Sequence, residues 1–265
     1  MLRIFYGIKS KAWKILDKSL IQKRFSRRLS SYSGAAQVQQ RMAEHLLENV
    51  DDFSGGRTGF DRIFEFGCGA GILTGRIVKR FRYREFFLND LVPECESVTR
   101  ELSDNSEFIP GDIEKISFPD KTDLVISGAT LQWVDDIEKI MQKVQSSLAP
   151  GGIFAFSTFA PGNLREVKEI TGCGLEYIEP VVLEELGYRY FKLLKCISET
   201  IELEFDTPYE VLHHLRETGV SGLSGAPLGK GWLDRFSWEY SERFSRNGKV
   251  KLTYCPVYFT GRVEE

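Results

Sequence analysis

The sequence predicts an α/β fold: a doubly wound, mostly parallel sheet covered by helices on both faces. Three observations carry this. Short strand-forming runs alternate with amphipathic helical runs, a glycine-rich turn follows the first strand run, and acids close the runs beside it. At 265 residues, 42% of them hydrophobic and 28% charged, the chain can bury a full core as one large domain or one domain carrying an insertion.

Taken in order, Met1 to Leu16 is basic, with Arg3, Lys9, Lys11 and Lys14 and no acid before Asp17. Residues 1–16 are an extension of uncertain role, and their charge keeps an organelle-targeting reading open. Residues 17–58 form an N-terminal helical unit: Lys18 to Val50 spaces apolar residues at helical intervals through Tyr32, Val38, Met42, Leu46 and Leu47. Asp51 to Gly59 is a linker. Residues 59–265 are the main domain. Its strands are expected at Arg62 to Phe66, Phe86 to Asp90, Ser106 to Ile109, Asp123 to Ser127 and Gly152 to Phe159. Helices are expected at Ile72 to Phe81, Pro93 to Leu102 and Ile137 to Leu148.

An irregular helical insertion follows at about residues 161–188, where a substrate-side element would sit. Tyr190 to Phe205 reads as a strand or hairpin. Thr207-Pro208-Tyr209-Glu210 opens a helix, with Thr as N-cap, Pro at the first helical position and Glu three residues after the cap. Asp234 to Phe244 is a further helix, and Lys249 to Thr260 a final strand.

The bulk chemistry excludes several classes. Five cysteines, odd in number and without a Cys-x-x-Cys pair, argue against a disulfide framework or a zinc site, and no metal is expected. No apolar run approaches the roughly 18 residues of a membrane span. The net charge of −3 hides a basic cluster at Lys18, Lys23, Arg24, Arg27 and Arg28, which suits an acidic partner or a solvated helix face. A cytoplasmic monomer that engages neither nucleic acid nor membrane is expected.

The glycine turn reads Glu65-Phe66-Gly67-Cys68-Gly69-Ala70-Gly71. Glycines there let the backbone pass close to a ligand. The dinucleotide fingerprint places its third glycine at the sixth position, which is Ile72 here, so the spacing favours S-adenosylmethionine over a nicotinamide cofactor. Asp90 ends the second strand, where a carboxylate suits two ribose hydroxyls. Asp112 follows the third strand and suits the adenine amino group, and Glu65 suits the cofactor's amino-acid end. Leu91 and Ile113, next to two of these acids, and Ser127, at the end of the fourth strand, complete the expected cofactor set.

These residues resemble the class I methyltransferases, and other stretches narrow the likeness. Arg24-Phe25, Ser31-Tyr32-Ser33 and Ala36 to Gln40 are similar to the start of the malonyl-acyl-carrier-protein O-methyltransferases of biotin synthesis. Leu131 to Asp136, Ser157 to Glu166, His214 to Val220 and Leu252 to Tyr258 are similar to later parts of that family. The resemblance runs from about Asp17 to the C-terminus. It implies a Rossmann-like seven-stranded sheet with an N-terminal helical lid and a helical insertion after strand 5.

It further implies methyl transfer from S-adenosylmethionine to the free carboxylate of a malonyl thioester on acyl-carrier protein, leaving S-adenosylhomocysteine. Such a carboxylate is already ionised at neutral pH, so no general base is needed, and His45, His213 and His214 read as structural or surface residues. Arg165 and Arg216 are candidate clamps for the acceptor carboxylate, Tyr32 and Trp133 candidate walls of the transfer channel, and Gln37 a candidate donor to the cofactor carboxylate. Lys23, Arg24, Arg27 and Arg28 are a candidate docking site for the carrier protein. Two alternatives remain: another small carboxylate or quinone precursor as acceptor, or an assembly or hydroxylation factor built on the same fold.

Overall fold

The computed structural model describes residues 18–27, 29–219 and 229–264, apart from the side chains of Arg24, Ser30, Ser31, Ser33, Leu193 and Leu194. The 1–16 extension, Arg28, Val220 and the side chains of Arg24, Ser31 and Ser33 thus lie outside the described residues.

The N-terminal run expected as one helix is three: α1 (Lys18–Ser26), α2 (Leu29–Ala35) and α3 (Gln37–Phe53). The break before α3 is at Ala36, whose φ of −86° and ψ of 47° leave the helical region. Hydrogen bonding continues around the bend, from the Ala36 amide to the Tyr32 carbonyl at 3.0 Å and from the Gln40 amide to the Ala36 carbonyl at 2.9 Å. α3 runs through the expected linker as far as Phe53, burying Val38, Met42, Ala43, Leu46, Leu47 and Val50 on one stripe.

The main sheet then builds through β1 (Gly59–Phe66), α4 (Ile72–Arg80), β2 (Arg82–Asp90), α5 (Cys95–Leu102), β3 (Ser106–Pro110), β4 (Thr122–Gly128), α6 (Ile137–Ser147) and β5 (Leu148–Phe159). After it come α7 (Arg165–Thr171), α8 (Pro180–Tyr190), β6 (Lys192–Ser198), β7 (Ile201–Phe205), α9 (Pro208–Glu217), α10 (Lys230–Phe244), β8 (Ser245–Arg246), β9 (Lys249–Tyr254) and β10 (Pro256–Arg262). The seven-stranded sheet has the order β3-β2-β1-β4-β5-β10-β6. β10 is antiparallel to β5 and β6, while the pairings among β1 to β5 are parallel.

Alternation along the strands sends side chains to two cores. Phe64, Phe66, Val125, Phe154 and Phe156 pack with Ile140, Met141 and Val144 of α6 and Leu183 of α8. On the opposite face, Ile63, Leu124, Ile126, Ile153 and Ala155 pack with α3 and α4. Glu65 lies between Phe64 and Phe66, so it shares the α3 face with Ile63 and Asp90 shares it with Leu88.

Two expectations change. Tyr190 to Phe205 is not a hairpin: β6 pairs with β10, whereas β7 pairs with β9 in a separate three-stranded sheet, β7-β9-β8. Lys249 to Thr260 is likewise two strands, parted at Cys255. The Cys255 amide donates to Asn163 Oδ1 at 3.1 Å and its carbonyl accepts from the Ala160 amide at 2.8 Å, so the segment after β5 fixes where the chain changes sheets. The helix at Thr207 starts as its residues predict, with the hydroxyl accepting from the Glu210 amide at 3.3 Å, although Glu210 reaches back to Asp206 instead of the cap itself.

Candidate functional site

A cavity of about 960 Å³ opens at the C-terminal edge of the parallel strands, where ligands bind in open α/β sheets. Its floor is the turn between β1 and α4. Gly67 holds φ at 68°, and a Cβ there would stand 2.0 Å from Thr130 Oγ1. Gly71 holds φ at 72° as N-cap of α4, with Leu102 2.3 Å from a built Cβ. Both positions therefore demand glycine on dihedral grounds, and Gly67 on steric grounds as well, since the atom nearest Gly71 is the movable end of a leucine. Gly67 and Gly69 line the cavity, whereas Gly71 shapes the turn from behind.

Asp90 closes β2 beside this turn. Its Oδ2 accepts from the Gly69 amide and its Oδ1 from the Val92 amide, each at 2.8 Å. Burial pushes its carboxyl up, against the pull of the Val92 and Gly69 amides. These bonds, with one from the Cys95 thiol, fix the carboxylate's plane, and its remaining acceptor capacity suits a hydroxyl.

Asp112, after β3, takes the Lys18 ammonium at 2.9 Å on both oxygens and the Glu114 amide at 3.1 Å. Burial opposes its charge, but the bonds and charge of Lys18 outweigh it and hold the carboxyl below the usual range. Lys18 also meets Glu114 and lies 3.7 Å from Asp135. α1 thus lies across the open edge on one face: Lys18 reaches past β3, Gln22 Nε2 donates to the Leu91 carbonyl at 3.2 Å past β2, and Phe25 sits 3.1 Å from a Cβ built on Gly69 past β1.

Glu65 is 1% exposed and lines the cavity with one carboxylate oxygen, Oε2, that has no hydrogen-bond partner. Burial pushes its carboxyl up to about 8, with the Asp90 charge adding and contacts to Thr74 opposing. Leu91 and Ile113 also line the cavity. Ser127 does not. Strand alternation turns it to the α6 face, where its hydroxyl donates to the Phe66 carbonyl at 2.9 Å.

Beyond these groups the cavity is walled by Tyr32, Gln132, Trp133, Phe159 and Tyr177. Burial, reinforced by the Asp90 charge, pushes the Tyr32 phenol well above its ordinary value. Tyr177 accepts from Asn163 Nδ2 at 2.8 Å, and burial pushes it up to about 12. His214 lies outside the lining, bonded to the Tyr254 phenol at 2.8 Å.

Besides Gly71 and Ser127, three further expected site residues are not brought to the cavity. Gln37, at the first position of α3, is exposed, whereas Gln39, two residues and about 200° further round the helix, is 7% exposed and lines the cavity. Arg165 faces out to Glu202 at 3.5 Å, because the adjacent Glu166 takes the inward position and binds the Thr253 amide at 3.0 Å. Arg216 is exposed beside Glu217, since its neighbour Leu215 carries the buried stripe of α9. The cation at the far end of the cavity is instead Lys168, 3.2 Å from Glu176. Lys168 and Tyr177 carry no spacing signal in the sequence, each being a single residue in a stretch that reads as irregular, whereas Asn163 lies in the Ser157 to Glu166 stretch that carries the family resemblance.

Residues 64–156 match the methyltransferase domain model, spanning the glycine turn, Asp90 and Asp112. The chain is 38% identical over 250 residues to malonyl-acyl-carrier-protein O-methyltransferase of Chlorobium luteolum, covering 92% of this chain and 95% of that protein. It is 36% identical to the enzyme of that name from Bacteroides thetaiotaomicron, covering 93% and 98%. The chain belongs to the malonyl-acyl-carrier-protein O-methyltransferase family. Solved structures share the fold at lower identity. N-methyltransferase NodS of Bradyrhizobium japonicum, in complex with S-adenosylhomocysteine, aligns with a TM-score of 0.60 at 12% identity, covering 92% of this chain and 99% of that one. A putative methyltransferase of Bacillus halodurans aligns at 0.61, also at 12% identity, over 84% and 99%. As a member of this family the protein is an enzyme that uses S-adenosylmethionine, and the glycine turn and the partnerless oxygen of buried Glu65 fit that cofactor.

Proposed function

We propose that this enzyme methylates the free carboxylate of a malonyl thioester carried on acyl-carrier protein, a methyl ester that would prime biotin synthesis. When bound, S-adenosylmethionine supplies an electrophilic methyl group on a sulfonium. Glu65 would meet the amino-acid end, Asp90 the ribose hydroxyls, and Asp112 the adenine amino group beside Lys18.

The observation that carries the acceptor is the character of the far wall. Tyr32, Trp133 and Tyr177 shield it from water, and no histidine lines it among the described residues. That suits an oxygen nucleophile already ionised at neutral pH, for which catalysis is positioning and desolvation, together worth roughly 7–11 kcal/mol in favourable cases. Lys168, released from Glu176, would offset the acceptor's charge in place of Arg165 or Arg216. Lys23 and Arg27 are exposed on the α1 side and offer an acidic carrier protein a contact that weakens with salt.

The test is methyl-labelled S-adenosylmethionine with malonyl-carrier protein, malonyl-coenzyme A and a panel of free acids. Label in an ester of the malonyl thioesters supports the proposal, and label only in a free acid replaces it. Charge reversal at Lys23 and Arg27 is expected to raise the KM for carrier protein and flatten its salt dependence. An unchanged salt dependence places docking elsewhere.

A further inference from the structure

Two buried residues that line this cavity each carry a side-chain oxygen with no hydrogen-bond partner: Glu65, through Oε2, at the end of β1 and Gln39, through Oε1, on α3. Glu65 points to the α3 side of the sheet, so both belong to the layer between that helix and the strands. Gln39 sits between Val38 and Met42, residues of the α3 core stripe, and makes no side-chain hydrogen bond among the described residues. A buried amide without partners weakens a fold, and an apolar side chain of the same length would pack there at lower cost. The unpartnered acceptor beside the cavity suits a ligand that donates hydrogen bonds.

We infer that Gln39 is a cofactor-positioning residue: its carbonyl oxygen and the Glu65 carboxylate together accept from the α-ammonium group of S-adenosylmethionine. This rests on the cofactor placement proposed above. An ammonium carries three donors and no acceptor, so it can satisfy two acceptor oxygens at once, one of them charged. The neutral amide fills the second position without the repulsion a second carboxylate would set against Glu65 and Asp90. Gln39 would thereby fix the amino-acid half of the cofactor to α3, the helix that also lines the cavity with Met42 and Ala43.

The test is calorimetric binding of two probes, S-adenosylhomocysteine and 5′-methylthioadenosine, which keeps the adenosine and thioether but lacks the amino-acid end. Gln39→Met is expected to weaken the first about tenfold or more and leave the second unchanged. Its thermal midpoint should match or exceed that of the unaltered protein. Gln39→Glu keeps the oxygen and should hold S-adenosylhomocysteine at least as well as Gln39→Met does. In a double-mutant cycle with Glu65→Gln, the combined loss should fall short of the product of the single losses. Equal weakening of both probes, or none of either, overturns the inference. Failure of the unaltered protein to bind 5′-methylthioadenosine would instead overturn the placement of adenosine on Asp90 and Asp112, a separate result.

Discussion

The two ends of the cavity are built by different means. At the cofactor end, Gly67, Asp90 and Asp112 sit on or just after strands whose positions are set by parallel pairing, and backbone amides lock Asp90 at 2.8 Å. At the acceptor end, Tyr32, Lys168 and Tyr177 come from helices and from the loop between α7 and α8, held by single side-chain bonds such as Asn163 to Tyr177. On the proposed placement, a ligand half common to many enzymes would be held by the sheet edge, and the half that distinguishes acceptors by elements that differ more easily.

The contrast breaks most sharply at Gly67. Gly67→Ala forces an L-residue into the left-handed region, at about 1–2 kcal/mol, and adds overlap with Thr130. Loss of S-adenosylhomocysteine binding with a lowered thermal midpoint is expected, and an unaffected variant would mean the turn is not the cofactor's floor. Next comes Asp90→Asn, which removes a charged acceptor of two amides. The loss should be about ten- to hundredfold in S-adenosylhomocysteine affinity by calorimetry, with the KM for the malonyl thioester little changed.

Glu65 sharpens the comparison through pH. Its folded carboxyl titrates at about 8 against an ordinary value of 4.5. The folded protein therefore holds a proton that the unfolded chain has lost, and stability attributable to Glu65 declines as pH rises from about 4.5 to about 8. Glu65→Gln should abolish that decline in thermal midpoint and match or exceed the unaltered protein near pH 8, while weakening S-adenosylhomocysteine about tenfold. Binding of the cofactor's ammonium should release a proton below pH 8, read as a buffer-dependent calorimetric enthalpy.

At the acceptor end, Lys168→Gln is expected to raise the KM for malonyl-carrier protein several-fold, about 1 kcal/mol for one partly exposed ion pair, and to leave S-adenosylhomocysteine binding alone. Arg165→Ala and Arg216→Ala should have the smallest effects, within about twofold in KM, because both arginines are exposed and neither lines the cavity.

Sequence and structure agree where the signal is periodic. β1 to β5, the helices between them and the acids at the strand ends follow from alternation and turn chemistry. Ser127 failed because a strand end has two faces, and only the pairing with β1 shows that its hydroxyl serves Phe66. Gln37 failed because the bend at Ala36 sets the phase of α3, and nothing in the local residues places that bend to within two positions. The splits at Glu199–Thr200 and at Cys255 were hidden because β strands bound for two sheets share one continuous apolar pattern.

The measurement that bears most directly on the central claim is mass spectrometry of malonyl-carrier protein incubated with the enzyme and S-adenosylmethionine. The account requires a gain of one methyl group on the malonyl carboxylate, removable by ester hydrolysis and dependent on Asp90. Carrier protein left unmodified while another acid is methylated, or methylation at a position that ester hydrolysis does not reverse, would contradict it.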